Sequence, residues 1–287
     1  MPTAYPAKIL LFGEHTLLVG SRGLAVPYPR YGLRWVRGEA PDERLLSFAD
    51  YVSTCGPALP LDAQLLLHEL NAGLMLTGNI PQGYGLGSSG AVCAALFDRY
   101  ATPAGRQCSL PELRQVFARM ESYFHGQSSG TDPLVCYLQQ PLLLEGGAAG
   151  GTQLPEQWQR GWFLLDTGIS RGASPLIERF LQEYARGTTP IRQGWMQPTE
   201  QAISALMAGD RDRLRTAFAQ ISTYQLQHAD YLIPIAFREI WHVEGAYRLK
   251  VCGAGGGGML LGLAEDVERT EALLGAGLQW LHAASHQ

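Results

Sequence analysis

The stretch IPQGYGLGSSGAVCAAL, residues 80–96, runs a glycine-rich loop into a small, apolar segment of helical composition. Such a loop presents bare backbone N–H groups to an anion, and a helix behind it aims the positive end of its dipole at the same point. Gly83, Gly85 and Gly87 let the backbone turn tightly and approach a ligand with no Cβ in the way. Ser88 and Ser89 can cap the helix and offer hydroxyls to a phosphate or a divalent cation. A nucleotide polyphosphate is the simplest ligand for this device; the plainer reading is a glycine-rich turn at a helix start.

Spacing alone does not choose between nucleotide-binding folds. Gly85, Gly87 and Gly90 satisfy G-x-G-x-x-G, and so do Gly253, Gly255 and Gly258. A dinucleotide site needs a βαβ unit and a ribose-binding acid about 20 residues on. That offset lands near Gly105 with no acid, and the helical-looking stretch 61–77 leaves little room for a strand before the loop. The Walker pattern fails because no Lys-Ser or Lys-Thr follows the glycines.

The elements around the loop follow from periodicity. Lys8 to Phe12 reads as a buried strand, 61–77 and 110–124 as helices, and 141–147 as a short strand. Residues 24–37 alternate loosely, with Pro27 and Pro29 suggesting an edge or a turn. The Gly-, Ala- and Gln-rich segment 146–160 marks a boundary or hairpin, and a second unit opens with a strand at 161–166. Helices are expected at 173–186, 198–208, 210–230 and 234–244, then strands at 246–251 and 259–263 around a glycine loop, and a helix from 265. Strands and helices mix without regular βαβ alternation, which predicts an α+β fold.

Composition narrows the function. A hydrophobic content of 46% with 17% charged residues supports a packed core. The net charge of −4 disfavours nucleic-acid binding through a basic surface. Five scattered cysteines with no C-x-x-C pair point to a reducing compartment. No run approaches the ~20 apolar residues of a membrane span, and no basic region followed by an apolar core precedes Lys8. The expectation is a soluble, cytoplasmic protein without nucleic-acid or membrane partners.

Two further segments extend the glycine-loop signal. Residues 7–20 read AKILLFGEHTLLVG, and residues 250–258 read KVCGAGGGG. With P-x-G-x-G-L-G-S-S-G between them, the chain resembles, motif by motif and in order, the galactokinase–homoserine kinase–mevalonate kinase–phosphomevalonate kinase (GHMP) superfamily. Gly13-Glu14-His15 with its apolar run, and ESYFHGQSSGTDP at 121–133, look most like the mevalonate kinase branch. The resemblance implies an N-terminal domain of the ribosomal S5 domain 2 type over 1–150, a ferredoxin-like C-terminal domain over 151–287, and an active site between them.

It also implies an ATP- and Mg²⁺-dependent phosphotransferase with an alcohol acceptor, mevalonate first, and is compatible with a homodimer. Phosphoryl transfer needs the phosphates held, their charge neutralised, and the acceptor hydroxyl aligned and relieved of its proton. The resemblance gives the phosphates to Gly83, Gly85, Leu86, Gly87, Ser88, Ser89 and Gly90. It gives the metal to Ser89 and Glu121, the base to Asp132 with Lys8 as partner, and the acceptor to Glu14, His15, Arg171, Gly253 and Ala254. Taken alone, Glu121 reads as an exposed helix residue, Lys8 as a solvated charge at a strand start, His125 as a loop-ordering residue, and Asp132 as a helix N-cap ahead of Pro133. The loop 253–258, with its run of glycines, favours a bare-backbone role over a simple turn between strands.

Two departures bear on the acceptor rather than on the chemistry. Mevalonate kinases carry Arg-Ser-Thr where this chain has Arg171-Gly172-Ala173, and Pro133 replaces the Asn that often follows the catalytic Asp. The alternatives are a kinase for a sugar, a sugar phosphate or phosphomevalonate, or a non-catalytic ligand-binding member of the superfamily.

Overall fold

The computed structural model describes residues 4–170 and 174–282. Its first strand, β1 (Tyr5–Phe12), is buried along nearly its whole length, Lys8 included. It pairs antiparallel with the 15-residue β2 (Gly23–Arg37). On its other flank β2 carries β4 (Leu142–Glu145) and β3 (Leu74–Gly78), and β5 (Ala148–Gly151) continues the sheet as a hairpin from β4. A second sheet runs in the order β10 (Leu278–Trp280), β6 (Trp162–Asp166), β9 (Met259–Ala264), β8 (Tyr247–Val251) and β7 (His242–Val243), with every neighbouring pair antiparallel. Among the described residues these are two five-stranded sheets, and the fold is α+β as expected.

Helices α1 (Glu43–Cys55) and α2 (Ala63–Asn71) lie between β2 and β3. Between β3 and β4 come α3 (Ser88–Tyr100), α4 (Pro103–Arg106), α5 (Leu110–His125) and α6 (Thr131–Leu138). Between β6 and β7 lie α7 (Ser174–Arg186), α8 (Thr188–Ile191), a π-helical turn (Arg192–Met196), α9 (Gln197–Ala208) and α10 (Arg211–His228). Helix α11 (Val267–Leu274) precedes β10. No described helix is long and apolar enough to cross a membrane.

Two aromatic knots hold the parts that matter for the site. Phe97 of α3, Phe117 of α5 and Tyr137 of α6 meet at centroid distances of 5.1–5.5 Å. Phe12, Trp162 and Phe218 meet edge to face and join β1 to β6 and α10. The first knot fixes three helices relative to one another; the second couples the first sheet to the second.

Two expectations need correction, and a third is resolved between its alternatives. The stretch 61–77 is not one helix: α2 ends at Asn71, Gly73 turns the chain at φ 82°, and Leu74–Gly78 pairs with Leu33–Arg37. A strand therefore does precede the glycine loop; its apolar run is too short for periodicity to separate it from the helix. Of the edge or turn expected at 24–37 the structure has the edge, within one continuous strand. Its prolines are tolerated because β4 covers only Gly23–Ala25 and β3 only Leu33–Arg37, so Pro27 and Pro29 sit where β2 is locally an edge. Residues 234–244 form a single turn, Ile235–Phe237, and then β7. The apolar spacing there serves packing: Trp241 is buried, with its indole donating to the Ser222 carbonyl of α10 at 2.9 Å.

Candidate active site

The phosphate-loop candidate is anchored before it reaches its helix. The Lys8 N–H of β1 donates to the Leu86 carbonyl at 3.0 Å, while the Leu86 side chain is buried. Gly83, Gly85 and Gly87 all hold positive φ, between 73° and 76°, the region only glycine enters freely. Gly87 is the N-cap of α3 and no side chain caps the helix. This corrects the expectation that Ser88 and Ser89 do so: they are the first helical residues. The first-turn N–H groups have no intrahelical partner and face outward from the helix end.

Helix α6 begins the same way. Gly130, not Asp132, is its N-cap, and no side chain caps it either. Asp132 is the second helical residue and pairs with the Lys8 ammonium at 2.8 Å. The two helix starts touch: a Cβ on Gly90 would lie 2.8 Å from the Asp132 carbonyl carbon and 2.9 Å from the Pro133 nitrogen. A glycine at position 90 therefore lets the two positive helix ends converge beside the pair. Burial opposes the charge on Lys8, but the Asp132 carboxylate outweighs it and the ammonium's pKa is raised. The Lys8 side chain is 6% exposed and that of Asp132 37% exposed, so the carboxylate faces an opening.

Glu121 is buried, not an exposed helix residue. Ser89 Oγ donates to its Oε1 at 2.9 Å, and Ser128 Oγ donates to its Oε2. His125, the last residue of α5 rather than a loop residue, has its Nε2 2.9 Å from Ser89 Oγ, which gives it a partner within the site. Burial, then the negative charge of Asp132, push Glu121 up to about 7. Its hydrogen-bond partners are neutral hydroxyls, and the charge of Lys8, which pairs with Asp132, only weakly offsets the rise. Ser128, which also accepts the Gly130 N–H at 2.9 Å, does not stand out in the sequence although it lies inside the 121–133 motif.

The turn after β1 holds Glu14 and His15. His15 has φ 59°, unusual for a residue with a Cβ. Its ring packs on Phe180 and Trp195, and its Nε2 lies 3.0 Å from the Ala254 carbonyl. A carbonyl only accepts, so that nitrogen carries the proton. The structure turns the Glu14 side chain inward: at 1% exposure it pairs with Lys250 at 2.6 Å. This corrects the expectation that Glu14 itself meets an acceptor; a charge so placed demands a buried counter-charge. Lys250, Gln225, Phe180 and Trp195 were all missed by sequence reasoning, although Lys250 heads the third motif.

The loop 253–258 joins β8 to β9 and leans on the phosphate loop: the Met259 N–H points to the Tyr84 carbonyl at 3.5 Å, and a Cβ on Gly258 would meet that carbonyl at 2.7 Å. Its backbone is not bare throughout. The Gly256 N–H is taken by Leu232 O at 2.6 Å, and the Gly258 N–H by Ile169 O at 2.7 Å. Gly253 and Ala254 precede these bonds. Arg171 lies outside the described residues.

Residues 58–140 match the family model for the GHMP kinases N terminal domain, a segment that includes the glycine loop, Glu121 and Asp132. The L. major mevalonate kinase in complex with R-mevalonate superposes with a TM-score of 0.64 at 19% identity, over 95% of this chain and 90% of that one. The Streptococcus pneumoniae phosphomevalonate kinase in complex with phosphomevalonate and AMPPNP gives a TM-score of 0.66 at 13% identity, over 98% of both chains. This chain has the fold of the GHMP kinases. The chain is also similar in sequence to mevalonate kinases; that of Pyrococcus furiosus is 25% identical over 93% of this chain and 90% of its own length.

Proposed function

We propose that this chain is an ATP-dependent kinase that transfers the γ-phosphoryl group of ATP to the primary hydroxyl of mevalonate. The observation that carries the reading is the half-open Lys8–Asp132 pair at 2.8 Å, set where two uncapped helix starts converge. The acceptor hydroxyl gives its proton to Asp132, its oxygen bonds to the γ-phosphorus, and the bond to the β–γ bridging oxygen breaks as ADP leaves. Lys8 pairs with Asp132 at 2.8 Å and stabilises negative charge on the phosphoryl group. The N–H groups of residues 83–90 hold the phosphates. His15 and the 253–254 backbone line the acceptor side, and Arg171 is assigned to the acceptor's carboxylate on sequence grounds alone.

The residues present fit a magnesium ion. A buried carboxylate flanked by neutral hydroxyls, pushed up to about 7, is one that a cation would hold ionised. Among the described residues no three His, Cys, Asp or Glu side chains cluster as ligands, which suits a cation held by Glu121, Ser89, phosphate oxygens and water. When bound, Mg²⁺ neutralises phosphate charge. We also read the chain as two domains, 1–150 and 151–287, dividing at the end of β5.

The test is an ADP-release assay with ATP, Mg²⁺ and a panel of acceptors: mevalonate, phosphomevalonate, galactose and homoserine. Mevalonate should be turned over and the neutral sugar poorly. Turnover of another acceptor without mevalonate would move the chain to a different branch, and no turnover of any would favour a ligand-binding role.

A further inference from the structure

The Lys250–Glu14 pair does no chemistry in the mechanism above, yet it is the most buried charge pair among the described residues, at 0% and 1% exposure. Lys250 is the penultimate residue of β8, just before the loop 253–258. Its ammonium donates to Glu14 Oε1 at 2.6 Å and to the Val251 carbonyl at 2.9 Å, and lies 5.7 Å from the Phe12 ring. Gln225 of α10 completes the arrangement. Its Nε2 donates to Glu14 Oε1 at 3.2 Å, and its Oε1 accepts the Val251 N–H at 2.9 Å.

Two chain segments far apart in sequence are thus joined twice, by Lys250–Glu14 and by His15–Ala254. Stability alone does not call for the first link. Glu14 Oε2 is buried without a hydrogen-bond partner among the described residues, and apolar residues of similar volume often serve a core as well as a buried ion pair. An ion pair does supply direction: it fixes where β8 ends relative to the turn that carries His15. The phosphate loop has its own anchors, at Leu86 and Gly90.

We propose that Lys250, with Gln225, is a positioning residue that sets the loop 253–258 against the Glu14–His15 turn and thereby shapes the acceptor side of the site. This rests on the kinase reading above. Loss of the link should weaken use of the acceptor more than use of ATP, because the phosphate loop, though it touches 253–258 at Tyr84, keeps its own anchors at Leu86 and Gly90.

The experiment compares wild type, Lys250→Met, Glu14→Gln/Lys250→Met and Gln225→Met by melting temperature and by KM for mevalonate and for ATP. Lys250→Met should melt lower and show a mevalonate KM raised about 10- to 100-fold, the range a displacement of about 1 Å can produce. Its ATP KM should stay within about threefold of wild type, as for loss of one substrate's binding alone. The double variant, with no uncompensated buried charge, should recover the melting temperature but not the mevalonate KM. Gln225→Met keeps the ion pair, so it tests the link without stranding a charge, and should also raise the mevalonate KM selectively. A double variant that regains both properties, parallel rises in both KM values, or an unchanged Gln225→Met overturns the proposal. Wild-type protein that leaves mevalonate unphosphorylated overturns the kinase reading instead, and this inference with it.

Discussion

Lys8–Asp132 and Lys250–Glu14 are built from the same chemistry and differ in access. Both link a lysine on a strand to a carboxylate, at 2.8 Å and 2.6 Å. The Asp132 side chain is 37% exposed, whereas that of Glu14 is 1% exposed. A base must come within hydrogen-bond reach of the proton it takes, and only the first pair allows that. The sealed pair can only hold chain segments in place. The two glycine loops divide in the same way. The first ends in uncapped helical N–H groups, and the second gives its Gly256 and Gly258 N–H groups to Leu232 and Ile169.

The contrast is broken most directly at the open pair. Lys8→Met and Asp132→Asn should each cut kcat by about 10²–10⁴-fold, and the double variant should be little worse than the poorer single one, because the two act as a unit. Additive losses in a steady-state double-mutant cycle would mean that they act separately. Next in size is Gly90→Ala. Its Cβ would press on the Asp132–Pro133 backbone, which cannot yield as a flexible side chain can. Parting the two helix starts should lower kcat by about 10- to 100-fold, and an unchanged rate would show that their convergence is not needed.

A smaller effect should appear in stability. Glu121 is raised from an ordinary 4.5 to about 7 in the folded chain. Between those values the folded protein holds a proton that the unfolded chain has released. The group's contribution is therefore present below 4.5 and lost as pH rises through about 7. Glu14 is also raised, by burial first, with the same sign. In the absence of ligands the melting temperature should fall across that window, and Glu121→Gln should flatten the slope; an identical slope in the variant would contradict the burial argument. The smallest effect belongs to a glycine with no part in the site. Gly146 sits at φ 57° in the β4–β5 hairpin, and a methyl group added there would meet nothing within 4 Å. Gly146→Ala should cost only about 1 kcal/mol of stability and leave both KM values unchanged in the same assays.

Much of this was legible in the sequence because the chemistry sits in contiguous motifs. The glycine loop, the 121–133 segment and the Lys8 strand could be read locally, and the fold brings Ser89, Glu121, Asp132 and Lys8 together. The short β3 and the 234–244 segment were hidden, since apolar spacing over so few residues does not separate helix, strand and packed turn. The capping was misread because Ser88 and Asp132 are good cap residues by type, while glycines at 87 and 130 take the position with left-handed backbones. The sealed pair was invisible for a different reason. Glu14, Gln225 and Lys250 meet only through tertiary structure, more than 200 residues apart for Glu14 and Lys250, and no local pattern signals a buried counter-charge.

The central claim is tested most directly by incubating the wild-type chain with ATP, Mg²⁺ and mevalonate and following the phosphorus by NMR, with Asp132→Asn as the control. A new phosphomonoester on the primary hydroxyl of mevalonate, formed with stoichiometric ADP and slowed by about 10²–10⁴-fold in a folded Asp132→Asn protein, is the predicted result. Formation of no phosphomonoester by the wild-type chain, or equal rates for the two proteins, would contradict it.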